Sequence, residues 1–301
     1  MHELEPLDRK ITLKHRLEYA GFAAVVRLAE SLSPNAARKL GESLGMLGHS
    51  GLRIRRELVE RNLRAAFPEA TDEWVHDIAK RAYEHLGRET LVSIRLGNLT
   101  PKQLIEMTTD PGIDEFRKAM AEGKGAVVMS GHVGNHEIAA AALAARGFPV
   151  DVVVQRQGNP LFDKALNDAR MKHGLGVIDR SKAQRQALKS LRAGRAVAFA
   201  ADQDAGRNGV FVPFFGRRAS THRGPALFAV KTGAPAFIGA ALQSGNGYRG
   251  FLERLEVDRA GPVDDVVYNL MAAFTKRLEE VVRSAPDQYL WMHRRWKTTP
   301  P

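Results

Sequence analysis

Residues 126–137 read Ala126-Val127-Val128-Met129-Ser130-Gly131-His132-Val133-Gly134-Asn135-His136-Glu137, and an alanine-rich run follows to Ala145. A short apolar run rich in β-branched residues predicts a buried strand, and the two glycines after it let the backbone turn tightly. Asn135 is a good helix N-cap, and Glu137 falls in the first helical turn, where the helix dipole favours an anion. The segment is therefore a strand, a loop and a helix. If a helix ran unbroken from His132, Glu137 would sit about 140° off the face of the histidine. The pair needs the loop. From it the Glu137 carboxylate can fold back onto one imidazole nitrogen and leave the other for a substrate, the arrangement of general base catalysis.

Outward from this corner the pattern repeats. Strand-like runs at Val150 to Val154, Ala196 to Ala201 and Ala236 to Leu242 take turns with helical ones at Phe162 to Lys172, Ser181 to Leu191 and Pro225 to Lys231, and a last helix spans Asp264 to Ser284. Alternation of this kind predicts an α/β fold whose mostly parallel sheet is flanked by helices. Ligands in such sheets bind at the carboxyl ends of the strands, so the residues just after each strand are the ones to weigh. Up to about Leu99 the apolar spacing is helical instead, as in Leu13, Leu17, Ala20, Ala24 and Leu28. The expected organisation is one domain over 1–301, with a helical N-terminal section at 1–99 and an α/β catalytic core at 100–301.

Composition narrows the class. The 301 residues carry 45 Lys+Arg against 34 Asp+Glu, a formal charge of +11, with 44% hydrophobic residues and no cysteine. Disorder, collagen and disulfide scaffolds are excluded, as are thiolate zinc sites and cysteine nucleophiles. No removable signal peptide is evident, and the longest charge-free run, Thr232 to Tyr248, holds Gly, Pro, Gln and Asn and reads as a strand and turn. The front helices alternate apolar and basic residues. Such helices either pack their apolar faces on the domain or lie in a membrane interface with arginines toward anionic headgroups.

His132 and Glu137 fit the His-x4-Asp/Glu motif, and further stretches carry the likeness along the chain. These are Asn62 to Pro68, Arg156 with Asn159-Pro160, Asp202-Gln203-Asp204, Val212 to Gly216 through Thr221, and the ending Gln288 to Lys297. Together they resemble the bacterial lipid A late acyltransferase family, which includes lauroyl and myristoyl transferases and phosphatidylinositol mannoside acyltransferases, within the glycerolipid acyltransferase superfamily. The resemblance implies a glycerol-3-phosphate acyltransferase-like fold. It also implies transfer of a fatty acyl group from an acyl carrier protein or CoA thioester to a hydroxyl of a membrane glycolipid, a lipid A precursor foremost. The reaction would run at the cytoplasmic face of the bacterial inner membrane, without cofactor or metal. Members commonly carry an N-terminal hydrophobic anchor; here Glu18, Arg27 and Glu30 interrupt that region, which favours peripheral or shallow attachment.

Under this reading His132 takes the proton from the acceptor hydroxyl and Glu137 stabilises the imidazolium. Arg156 would grip a phosphate or polarise the thioester. Asp202 would position active-site arginines, Phe215 would line an acyl slot, and Arg218 and Arg223 would meet a phosphorylated sugar. Each has a plainer reading as a structural loop histidine, a surface ion pair, a core aromatic or a solvated charge. A rival from another class, a metal-dependent glycosyltransferase, would use Asp202 and Asp204 as ion ligands. Nucleic-acid binding has little support, because the basic residues are spread along the chain and no reading motif is present.

Overall fold

The computed structural model describes residues 10–300; residues 1–9 and 301, which the expected domain also includes, lie outside the described residues. Its front is helical. Helix α1 (Leu13–Ser31) starts where the Thr12 hydroxyl accepts the His15 N–H at 3.2 Å and the His15 ring accepts the Thr12 N–H. Ser33 caps α2 (Pro34–Met46), whose end widens into a π-helical turn over Leu47–Gly51. Next come α3 (Arg56–Ala66) and α4 (Asp72–Ile94), the latter capped by Thr71. Helices α2 and α4 meet backbone to backbone, since a Cβ added to Gly87 would stand 2.1 Å from the Gly41 carbonyl oxygen. After α5 (Pro101–Glu106), the short strand β1 (Thr108–Thr109) and α6 (Ile113–Ala121), the chain enters its alternating part.

There β2 (Ala126–Ser130), α7 (His136–Ala145), β3 (Val150–Val154), α8 (Pro160–Lys172), β4 (Gly176–Asp179), α9 (Ala183–Arg192) and β5 (Ala196–Ala200) follow in turn. Strands β6 (Val210–Phe214) and β7 (Arg217–Thr221) form a separate hairpin, and α10 (Gly224–Thr232), β8 (Ala236–Ser244), β9 (Gly247–Arg254) and α11 (Val263–Ser284) complete the order. The seven-stranded sheet runs β1-β9-β8-β2-β5-β3-β4, and β8 with β9 is its antiparallel pair. The α/β expectation agrees with this architecture. The short strands β1 and β4, the hairpin and β9 were not among the expected strands. The hairpin and the β8–β9 pair are antiparallel and set by tight turns rather than by crossover helices.

The main core joins the two parts. Leu63, Val75, Ile78 and Tyr83 of α3 and α4 pack with Val127 and Met129 of β2, Val197 and Phe199 of β5, and Leu270, Phe274 and Leu278 of α11. The ending packs into it too: Trp291 is 2% exposed and Trp296 is partly buried against the same cluster. Both tryptophans therefore face the body of the protein. Asn62, itself buried, holds the ending in place by donating its Nδ2 amide to the carbonyls of Trp291 and His293, each at 2.8 Å.

Candidate active site

Register assembles the site. Ser130 at the end of β2 pairs with Ala200 at the end of β5, and Val153 of β3 pairs with Phe199. His132 and Asp202 each stand two residues beyond a matched pair, and Arg156 stands two residues beyond the end of the adjacent parallel strand. All three reach the carboxyl edge of the sheet.

The loop bearing His132 is clamped from both sides. Its carbonyl accepts the Leu290 N–H at 2.9 Å, the Gly134 N–H donates to Gln288, and the Asn135 N–H donates to Ala241 of β8 at 2.8 Å. Gly134 has φ +61°, and a Cβ there would lie 2.0 Å from the Ala241 carbonyl oxygen, so glycine is required. Asn135 caps α7 through Ile138 and donates its amide to the buried Glu89 carboxylate of α4 at 2.8 Å. Contacts with α4, β8 and the C-terminal segment thus fix one loop.

The orienting hydrogen bond comes from Asp202 rather than from Glu137. Asp202 Oδ1 lies 2.7 Å from His132 Nδ1, and its Oδ2 accepts the His132 backbone N–H at 2.9 Å. A carboxylate in this state only accepts, so Nδ1 carries the proton and Nε2 presents a lone pair, 3.4 Å from the Gln203 amide nitrogen. Burial works against a charged ring, yet the charge and hydrogen bond of Asp202 raise the His132 pKa above its ordinary value. Asp202 is buried as well, and its partnership with His132 holds its own pKa well below the usual carboxylate range.

Glu137 turns the other way, toward α8. Arg170 grips it with two hydrogen bonds, from Nε at 3.0 Å and from the terminal NH2, and His136 Nε2 is 3.7 Å from the same carboxylate. Burial opposes its charge, but the Arg170 hydrogen bonds lower its pKa overall. The expectation that Glu137 reaches the imidazole is corrected on geometry: the first turn of α7 aims it at Arg170, while Asp202 takes the His132 nitrogen. The His136 ring lies 5.5 Å from that of His132, and its pKa is lowered, chiefly by desolvation against the cavity walls.

Two cavities meet at His132, His136 and Glu137. One, of about 380 Å³, is walled by apolar side chains that include Phe22 of α1, Leu86 and Ile94 of α4, Leu166 of α8 and Met292. The other, of about 720 Å³, has mixed walls and is the more polar of the two, and Arg156, Arg170, Arg180, Gln203 and His222 reach it. Arg156 lies there, its Nε 2.7 Å from Asp163. Three other expectations fall elsewhere. Phe215 is 5% exposed and packs in the core against Phe67 and Trp291, so it lines neither cavity. Arg218 is exposed over the Phe211 ring, and Arg223 pairs with Asp264 at 2.5 Å on the surface. Sequence patterns did not single out Arg170 or Arg180, and Gln203 entered only as the middle residue of Asp202-Gln203-Asp204. Arg170 read as one charge on an amphipathic helix, and nothing in the sequence marks which face meets α7.

The Asp202-x-Asp204 pair is divided between partners. Asp204 accepts the Thr298 hydroxyl at 2.8 Å and the Thr298 and Gly206 N–H groups at 3.1 Å, tying the ending to this loop. Among the described residues one group of metal-type ligands lies elsewhere, where His49, Glu60 and His76 bring ligand atoms within 4.8 Å of one another. A guanidinium already sits there, with Arg56 Nε 2.9 Å from Glu60 and its terminal nitrogen 3.2 Å from His76.

A histidine held on Nδ1 by a carboxylate, set where a greasy cavity meets one reached by arginines, suits acyl transfer on an amphiphile. Comparison with known proteins makes this specific. Residues 9–298 match the bacterial lipid A biosynthesis acyltransferase family, and the chain belongs to it. It is 29% identical over 266 residues to the lipid A biosynthesis lauroyltransferase of Escherichia coli (strain K12), covering 87% of this chain and 85% of that protein. The palmitoleoyltransferase of the same organism is 28% identical over the same shares. The phosphatidylinositol mannoside acyltransferase of Mycolicibacterium smegmatis is 25% identical over 250 residues, 80% of each chain. The protein is an acyltransferase.

Proposed function

We propose that the enzyme moves a fatty acyl group from a thioester to a hydroxyl of a lipid A precursor, with His132 as general base. The observation that carries this is His132 Nε2, turned toward the junction of the two cavities by the Asp202 bond to Nδ1, with the Gln203 amide nitrogen 3.4 Å from it. Nε2 takes the proton as the hydroxyl oxygen attacks the thioester carbonyl. The tetrahedral intermediate then expels the thiolate, the C–S bond breaks, and the imidazolium returns the proton to sulfur. Asp202 stabilises the imidazolium in between. Glu137 contributes through Arg170, which it holds at the wall of the polar cavity beside Arg156.

The greasy cavity takes the acyl chain. The polar cavity takes the thioester and the phosphorylated sugar headgroup, for which its arginines are suited.

Attachment to the cytoplasmic face of the inner membrane is part of the same reading. Leu13, Leu17, Ala20, Ala24 and Leu28 form a stripe on α1 that is exposed along its length, with Lys14, Arg16 and Arg27 beside it. A stripe of this kind lies in an interface with its cations on anionic headgroups. No described helix is long and apolar enough to cross a membrane. Phe22 lies on the inner side of the same helix and lines the greasy cavity, so a lipid tail has a short path inward.

The test is transfer from acyl thioesters to lipid A precursor and mannolipid acceptors, read by mass spectrometry, with vesicle flotation alongside. One acyl mass should be gained by the lipid A precursor, and His132→Ala should abolish the gain. Full activity in that variant would overturn the reading, and preference for the mannolipid would redirect it.

A further inference from the structure

Charge on most of this surface is interleaved. On α3, Arg56 and Arg64 meet Glu60; on α8, Lys164 meets Asp168; on α11, Arg277 and Arg283 meet Glu280 and Glu279. Helix α9 breaks this habit. No acidic residue occurs between Asp179 and Asp202, a stretch that includes Arg180, Lys182, Arg185, Lys189 and Arg192. The last four are spaced by three, four and three residues, which places them on one stripe about 15 Å long at 1.5 Å per residue. All are exposed, while Ala187, Ser190 and Leu191 on the opposite side are buried. Arg185, Lys189 and Arg192 form no ion pair among the described residues. Cations near the end of α9 gain from the helix dipole, but that accounts for Lys189 and Arg192 alone, not for a stripe that begins before the helix does.

Position adds to the charge. Arg180 and Ala183, at the start of the stripe, belong to the wall of the polar cavity that holds His132. None of the exposed large apolar side chains lies on α9, in contrast to α1, so this face has nothing to insert into a bilayer. What it offers is a row of like charges leading to the cavity mouth. Such a row suits an acidic protein surface met through electrostatic steering.

We propose that the α9 stripe is the docking surface for an acidic carrier protein that delivers the acyl group as a thioester into the polar cavity. The proposal rests on the thioester reaction at His132, and it commits to a protein carrier over a free nucleotide thioester. A small donor needs only the cavity wall. A protein donor needs the stripe as well.

Two measurements test it. The first is binding of an acyl carrier protein to the full chain by fluorescence anisotropy, which requires no turnover. Wild type should bind at low salt and weaken steeply as salt rises, and Arg185→Glu with Lys189→Glu should bind at least tenfold more weakly with a flattened salt response. The second is acyl transfer. With the carrier-protein thioester the double variant should show KM raised about tenfold and kcat unchanged, whereas with acyl-pantetheine it should match wild type. Arg185→Gln with Lys189→Gln, a milder change on an exposed face, should fall between. Failure of wild type to bind the carrier overturns the proposal, as does equal loss with both donors or loss confined to acyl-CoA. Binding with no transfer from any donor would instead fault the assignment of the reaction while leaving the docking surface standing.

Discussion

Asp202 and Glu137 both lie close in the fold to the His132 loop, but only one of them binds its imidazole. Asp202 sits in the loop after β5, 2% exposed, with both oxygens on His132. Glu137 sits in the first turn of α7 and spends both oxygens on Arg170. One holds His132 Nδ1 and the other fixes a cation at the cavity wall. Sequence distance misleads: the carboxylate five residues away serves a neighbour, and the one 70 residues away serves the histidine.

The sharpest way to break this contrast is Asp202→Asn. An amide can no longer hold the Nδ1–H tautomer by charge, and by analogy with other histidine bases deprived of their carboxylate the expected loss in kcat is about 10³ to 10⁴. The pH profile adds a second reading. His132 must be neutral to accept a proton, and because Asp202 raises its pKa, wild-type activity should rise through an acid limb placed above the ordinary histidine value. Without the carboxylate, burial becomes the dominant influence and the limb should move to lower pH while the plateau falls. A limb that stays in place would assign the raised pKa to another group.

Glu137→Gln should do less. It releases Arg170 from a two-point grip without touching His132, so KM should rise about tenfold, and the loss in kcat should be about two orders of magnitude smaller than in the Asp202 variant. Steady-state kinetics on the two variants side by side decide the matter. If Glu137→Gln proved the more damaging in kcat and shifted the acid limb, the roles of the two carboxylates would be exchanged.

Why one pairing was legible and the other was not follows from the fold. The alternating runs that were read between Ala126 and Ser284 were legible because their apolar periods of two and 3.6 residues are local, whereas β4, the hairpin and β9 were not. His132 was readable because a histidine between a strand and a capped helix marks a sheet rim. The Asp202 bond depends on β5 lying beside β2, and strand order is not written in any local pattern. Once Ser130 is known to pair with Ala200, both residues are two steps past the pair and their meeting follows. Phe215 shows the converse. Its composition suited a greasy slot, but a positive φ of 51° and the donation of its N–H to Glu279 turn the ring into the core. That turn depends on a side chain of α11, 64 residues later. Likewise, the tryptophans of the ending suit a headgroup layer by composition, but Asn62 and Asp204 hold that segment against the body.

The smallest expected effect separates Asp204 from its neighbour two residues back. Its carboxylate binds Thr298 and Gly206, and none of its hydrogen bonds reaches His132. Asn keeps one acceptor oxygen in place of two, so Asp204→Asn should lose one or two hydrogen bonds at a partly exposed position, a destabilisation of about 1 kcal/mol. The check is a denaturant titration, with the midpoint lowered and the slope unchanged. Acyl transfer by the variant should stay within about twofold of wild type, since the lost bonds lie outside the His132–Asp202 pair. This same result bears on the glycosyltransferase alternative, because a carboxylate that ligated a catalytic ion could not become an amide without a large loss. An Asp204 variant as inactive as the Asp202 one would mean that the two carboxylates act together, and the division of labour drawn from their hydrogen bonds would be wrong.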